Sequence, residues 1–274
     1  MNKRYPVWWT FFTLLLVSSL MAAPLVWLVL TSLKTPEQLA SEPYSWWPRP
    51  FRWQNYADAV NSIPFLRYLA NTLLLCAGNV LGTLFSCSMV AYAFARLRWP
   101  GRDTLFAVLI ATMLLPWQAT MVPRFLIIRE LGLYDTLGAL IVPKFLGEAF
   151  YIFLLRQFFL TVPQSLIDAA RLDGCSELGI LFRVMLPLCR PALLTVGLLE
   201  FVATWNDYGG PLLYLNDPER FPLAYGLEQF ISSHSSELNL LLAAAVLFTL
   251  PIVLLFAVLQ RAFLSGMATT GLKG

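Results

Sequence analysis

The sequence predicts an all-α integral membrane protein with six spanning helices, and three observations carry that expectation. Hydrophobic residues make up 58% of the 274-residue chain and charged residues 13%, with a mean hydropathy of +0.66, far more apolar than a soluble core of this size requires. Apolar runs recur at about the 20 residues needed to cross a hydrocarbon layer of about 30 Å. The runs are continuous rather than alternating, which excludes barrel strands, so backbone polar groups in lipid are satisfied within helices.

Taken in order, the expected spans are 7–33, 69–94, 104–121, 137–155, 188–204 and 240–259 of one transmembrane domain covering 1–274. Lys3 and Arg4 precede the first run in the manner of a signal peptide, but the run continues through Val26 to Leu33 and reads as an uncleaved anchor. The third run is short. The fourth contains Lys144 and Glu148, one turn apart and able to pair, and the fifth contains Glu200; charges inside spans are costly and point to function or to buried pairing. Pro24, Pro116, Pro143 and Pro251 fall inside the runs and are expected to kink them.

Six spans put both termini on one side of the membrane. Placing them in the cytoplasm puts roughly eleven Lys and Arg inside, Arg96, Arg98, Arg102, Arg156, Arg171 and Arg183 among them, against about eight outside, a modest positive-inside bias. A net charge of +3, dispersed along the chain, gives no basic footprint for nucleic acid. Cys76, Cys87, Cys175 and Cys189 show neither C-x-x-C nor His-rich spacing, which argues against disulfides and metal, and the single histidine, His234, is read as a serine-rich outer-loop residue. One loop histidine also leaves a membrane hydrolase without its usual ligand or base.

The segment 163–187 is too patterned for a linker. Ser165 and Asp168 have the spacing of a capping box and Gly174 suits a left-handed C-terminal cap, which predicts a short surface helix over Leu166–Asp173. Ala169 and Ala170 keep it slim enough for another protein to approach its backbone, and Asp168 and Arg171 lie one turn apart.

Asp168-Ala169-Ala170-Arg171-Leu172-Asp173-Gly174-Cys175 resembles the signature loop of ABC-importer permeases, E-A-A-x-x-D-G-A followed by I-x-L-P. Nine residues separate Gly174 from Val184-Met185-Leu186-Pro187, as in the family pattern; Asp168, Cys175 and Val184 replace Glu, Ala and Ile. Ser32-Leu33-Lys34, Asn55-Tyr56, Trp205-Asn206-Asp207 and the terminal Gly271-Leu272-Lys273-Gly274 extend the resemblance to the shorter permease of maltose-type carbohydrate importers.

That resemblance implies a type I importer permease fold and a cytoplasmic coupling helix. Asp168, Ala169, Ala170, Arg171, Asp173, Gly174, Leu186 and Pro187 would contact an ATPase subunit, and the tail Gly271–Gly274 would reach the ATPase dimer. The implied partners are a homologous second permease, a cytoplasmic ATP-binding dimer, an extracytoplasmic solute-binding protein meeting the outer loop from Asp207 to Glu237, and the lipid bilayer of a bacterial inner membrane. The chain has no G-x-x-x-x-G-K-[ST] loop, so it binds no cofactor of its own, is no enzyme, and leaves ATP and Mg to the partner. Glu200, Trp205, Asn206, Asp207 and Tyr208 are candidates for the substrate path or for binding-protein contact, with membrane-interface anchoring the competing reading of the aromatics. The cargo is a sugar or oligosaccharide; sn-glycerol-3-phosphate or a related polyol, and a stand-alone secondary transporter, stay open as alternatives.

Overall fold

The computed structural model describes residues 7–233 and 238–270, and every described element is helical. Helix α1 spans Val7–Ser32, α2 Gln54–Ser62, α3 Phe65–Arg96, α4 Arg102–Thr112 and α5 Trp117–Glu130. Helix α6 (Gly138–Ile141) runs through a 3-10 turn at Val142–Leu146 towards α7 (Ala149–Thr161), followed by α8 (Gln164–Leu172) and α9 (Glu177–Ile180). A π-helical turn over Leu181–Met185 and a short turn at Leu186–Leu188 lead into α10 (Arg190–Trp205), then α11 (Gly209–Tyr214), α12 (Leu223–Ser233) and α13 (Leu238–Thr270). The tail expected to touch an ATPase, 271–274, and His234 lie outside the described residues.

Among the described residues, four helical stretches are long and apolar enough to cross a membrane, or six if two sharply bent pairs each count as one. One pair overlaps the run 104–121 expected as a single span. It is not one helix: α4 and α5 meet at 102°. Pro116, extended at φ −64° and ψ 140°, forms the break, because its ring denies the preceding residue a helical continuation and it has no amide to donate. The run 137–155 is also interrupted, with Pro143 in the 3-10 turn and Gly147 at φ +92°, and its helix continues to Thr161. By contrast, Pro24 and Pro251 are absorbed within α1 and α13. The second bent pair, Glu177–Leu188 with Arg190–Trp205, turns by 82°.

The chain divides into two compact units, the first comprising 1–66 and 226–253, the second 67–225 and 254–274. In the first unit, the two short motifs noted before and after residue 50 come together. Asn55, wholly buried, donates from Nδ2 to the carbonyls of Ser32 and Lys34 at 2.8 Å each and accepts at Oδ1 from Asn239 at 3.0 Å. Ser32 and Tyr56 share a hydroxyl hydrogen bond of 2.8 Å. The buried Lys34 ammonium donates to the carbonyls of Ser45 and Pro43 at 2.5 and 3.3 Å. Desolvation holds its pKa below the usual lysine value, with the charge of Glu42 acting the other way. Helix α1 ends at Ser32 in this knot of satisfied polar groups, while its apolar body, with Phe11, Leu14, Leu20 and Met21 all more than half exposed, is left for lipid or another chain.

The core of the second unit is formed by Ala91, Tyr92, Leu155, Phe159, Ile167, Ile180, Leu181, Met185 and Val196, so α3, α7, α8, α9 and α10 share one apolar cluster. This cluster seats the segment 163–187.

Candidate functional site

Helix α8 begins two residues earlier than the sequence suggests. Its N-cap is Pro163, with no side-chain cap, and Ser165 lies inside the helix, so the expected capping box does not form. Pro163 holds the extended ψ of 134° from which the chain enters the helix, and the Leu166 amide donates to its carbonyl at 3.3 Å. Asp168 instead accepts from Gln164 Nε2 at 3.0 Å and pairs with Arg171 at 3.3 Å. At the C-terminal end Gly174 takes φ +81°. Its amide donates to the Arg171 carbonyl and the Cys175 amide donates to the Ala170 carbonyl, both at 3.0 Å. These two bonds make a Schellman cap, which a glycine at this point permits at little steric cost.

The helix is strongly two-faced. Ile167 and Ala170 are buried in the core, whereas Asp168, Ala169, Arg171, Asp173 and Gly174 are exposed. Leu172 is 90% exposed and Leu166 is 45% exposed. An apolar side chain presented this far out, on a helix anchored from behind, is what a partner protein's groove requires. The sequence reading did not single out Leu172, because a leucine in a helix is by default a core residue.

Arg171 also pairs with Glu177 at 2.9 Å, and Glu177 accepts from the hydroxyl of Tyr92 at 2.5 Å. The Glu177 bond raises the Arg171 pKa above its already high ordinary value. Tyr92 belongs to α3, so this chain of bonds ties the exposed helix to the long helix of the unit. Arg96, one turn further along α3, donates to the Phe159 and Val162 carbonyls and to Gln164 Oε1, closing the start of α8. Pro187 and Leu186 lie in the short turn that follows the π-helical stretch, where the path bends towards α10.

A second polar constellation sits deeper in the same unit. Lys144 Nζ donates to Glu148 Oε2 at 2.9 Å, as the one-turn spacing anticipates, and pairs equally at 2.9 Å with Glu200 Oε1. Glu200 is 1% exposed and belongs to α10; its charge is therefore met by Lys144 rather than by lipid. Thr204 Oγ1 donates to Glu200 Oε1 at 3.2 Å and accepts from Asn79 Nδ2 at 3.1 Å. The 3-10 turn at Val142–Leu146 brings the lysine between its two carboxylates.

Beside this network lies a cavity of about 730 Å³, lined by Asn79, Arg124, Lys144, Glu148, Thr204 and Asp207, with Trp117 and Tyr214 contributing aromatic wall. Among the residues proposed for a substrate path, only Asp207 lines it; its carboxylate accepts from the Gly210 amide at 3.0 Å. Trp205 is entirely buried and stacks on Phe201 at 5.5 Å, so it is neither an interface anchor nor a wall of the cavity. Tyr208 stacks on Tyr225 at 5.6 Å, and Asn206 donates back to the Val202 carbonyl at 2.8 Å.

Residues 78–269, which contain both constellations, match the model of a known family, the binding-protein-dependent transport system inner membrane component. The chain belongs to that family. It is 33% identical over 264 residues to the arabinooligosaccharides transport system permease protein AraQ of Bacillus subtilis, covering 95% of this chain and 93% of that one. It is 32% identical over 263 residues to the sulfoquinovosyl glycerol transport system permease protein SmoH of Agrobacterium fabrum, covering 96% and 92%. Among solved structures, a chain from a bacterial ABC transporter involved in the import of the acidic polysaccharide alginate superposes with a TM-score of 0.82 at 26% identity, over 96% of this chain and 99% of that one. The permease is thus an all-α membrane transport component of the type I importer fold.

Proposed function

We propose that this permease is one of two transmembrane subunits of an ATP-driven importer of sugars or oligosaccharides in a bacterial inner membrane. It crosses six times, with both termini and the helix α8 in the cytoplasm. A homologous second permease completes the pathway, and an extracytoplasmic solute-binding protein delivers cargo. ATP and Mg are used by a separate ATPase dimer. Helix α8 docks on that ATPase, Leu172 inserting as the apolar anchor with Asp168, Arg171 and Asp173 around it. Closure of the ATPase on ATP is carried through the Arg171–Glu177–Tyr92 bonds into α3, and the cavity turns outward to accept sugar; hydrolysis resets it.

The observation that carries this reading is the exposure of Leu172 on a helix fixed at both ends, by Arg96 at its start and by the Schellman cap at its end. The sugar-permease names among the relatives support the cargo class. The test is purification of the permease in mild detergent with identification of co-purifying chains, followed by ATP hydrolysis with and without loaded binding protein. An ATPase is expected with the wild-type chain. Asp168→Lys is expected to weaken its retention and to remove most of the stimulation, because the reversal places two cations one turn apart at the docking face. Isolation of a homo-oligomer with no ATPase would point to a secondary transporter or channel instead.

A further inference from the structure

Between the end of α1 and the start of α2, the first unit carries an aromatic loop to which the importer reading gives no role. Trp46, Trp47 and Trp53 are more than half exposed and Phe51 is 40% exposed, with Trp47 and Phe51 meeting edge to face at 5.6 Å. A single exposed apolar residue is ordinary on any protein surface, but so many large rings in one loop mark a surface that another phase or molecule covers.

The loop is fixed at the depth where a span ends. Helix α1 is apolar over the 25 residues Trp8–Ser32, which at about 1.5 Å each make about 37 Å and exceed a hydrocarbon layer of about 30 Å. Its end at Ser32 therefore reaches the headgroup layer. The Arg52 amide donates to the Leu33 carbonyl at 2.8 Å, and Asn55 holds the Ser32 and Lys34 carbonyls. Phe51 and Trp53, on either side of Arg52, are thus tied to the end of the span. Its other end carries Trp8 and Trp9, at least half exposed and stacked at 4.6 Å.

An irregular loop enters a lipid interface only where its backbone polar groups are met within the protein. Two buried side chains do this here. Lys34 Nζ donates to the Pro43 and Ser45 carbonyls, and Gln38 donates to the Trp47 carbonyl and accepts from the Arg49 amide, both at 2.9 Å. Pro43, Pro48 and Pro50 have no amide to satisfy. The charges also point one way: from Pro43 to Ala57 the sequence holds Arg49 and Arg52 and no carboxylate. Arg52 pairs with Asp58 at 3.5 Å, whereas the exposed Arg49 enters no ion pair among the described residues.

We infer that the loop 46–53 is a lipid anchor, with Trp47, Phe51 and Trp53 lying among the phospholipid headgroups and Arg49 donating to a lipid phosphodiester. An indole suits that layer because its ring is apolar while its N–H still finds an acceptor. A soluble protein would meet the loop from the aqueous side; its tie to the end of α1 and its surplus of cations favour lipid phosphate instead. That the leaflet is the outer one rests on the importer topology proposed above, whereas the contact with lipid does not.

The experiment places bimane on Trp47→Cys in a Cys175→Ser background, Cys76, Cys87 and Cys189 being buried. The complete importer is reconstituted in proteoliposomes, with the Cys175→Ser parent as the blank. Emission is read with a phosphatidylcholine that carries a nitroxide on its headgroup and, separately, with iodide in the water on both faces. Quenching by the nitroxide lipid is expected to exceed quenching by iodide about threefold, as for a ring held in the headgroup layer. Iodide quenching equal to or above that by the lipid overturns the inference; if added solute-binding protein then abolishes the iodide effect, the loop is a protein-docking surface. Should Trp47→Cys fail to assemble, Trp53→Cys carries the same measurement and the same expectation. Arg49→Gln is expected to lower lipid quenching of the probe about twofold, and no change overturns the phosphate contact. The leaflet is read independently: Tyr44→Cys is expected to react with a membrane-impermeant maleimide added outside right-side-out vesicles. Reaction only after lysis overturns the outer placement together with the importer topology and leaves the lipid contact standing.

Discussion

Lys144 holds together two carboxylates that the chain places far apart, Glu148 four residues on and Glu200 on a different helix. Removing the ammonium would leave Glu200 buried and unpaired, a loss of roughly 3–5 kcal/mol when a partner of a buried ion pair is deleted. Lys144→Met is therefore expected to lower the melting temperature of the detergent-solubilised permease sharply, and Lys144→Met with Glu200→Gln to restore most of it, since the second change removes the stranded charge. A double variant no more stable than Lys144→Met would show that the lysine acts through something other than Glu200. A second residue tests the electrostatics of the loops. Asp135, at φ +55°, accepts at Oδ1 from the amides of Asn216 and Asp217 at 2.9 and 3.0 Å and pairs with Arg220 at 3.2 Å. The two amides, and then Arg220, hold its pKa below the ordinary carboxylate value. A depressed carboxylate stabilises the fold above its unfolded pKa and loses that contribution as pH falls through the folded one. The Asn216 and Asp217 amides are thus expected to stay protected from hydrogen exchange at neutral pH and to open below about pH 4. The Asp135→Asn variant should weaken protection at neutral pH too.

At the scale of elements, α8 depends on one backbone angle. Gly174 sits at φ +81°, where proline, fixed near −65°, has no access and also lacks the amide that bonds Arg171. Gly174→Pro is expected to insert and express near normally while removing loaded-binding-protein stimulation of ATP hydrolysis in the assembled complex; retained stimulation would sever the cap from coupling. The motif made this helix legible in the sequence because a glycine after D-A-A-R-L-D states where the helix must stop. Its start was not legible. Ser165 and Asp168 have capping-box spacing, but Pro163 opens the helix first. Similarly, hydropathy counts apolar residues without sensing direction, so 104–121 reads as one span although Pro116 turns the chain by 102°.

For the whole molecule, the all-α membrane class follows from composition and run length alone, and the family resemblance follows from residues 168–187 before any coordinate is considered. The candidate sites are less legible for a physical reason: they are long-range. Nothing in the sequence pairs Lys144 with Glu200 or Tyr92 with Glu177, because each pair is set by helix packing across more than fifty positions. Nor does it reveal that Trp205 turns inward while Leu172 turns outward. The account's central claim is that Leu172 is the point at which an ATPase takes hold of this permease. Cysteine cross-linking tests it directly: in a Cys175→Ser background, with Cys76, Cys87 and Cys189 buried, Leu172→Cys is oxidised in membranes containing the assembled complex. The account predicts a disulfide-linked product with a single-cysteine ATPase variant, lost on reduction, and none from Tyr44→Cys, which is 88% exposed in the other unit. A Leu172→Cys chain that cross-links no ATPase cysteine anywhere along the partner's cleft, in a complex that still hydrolyses ATP, would contradict it.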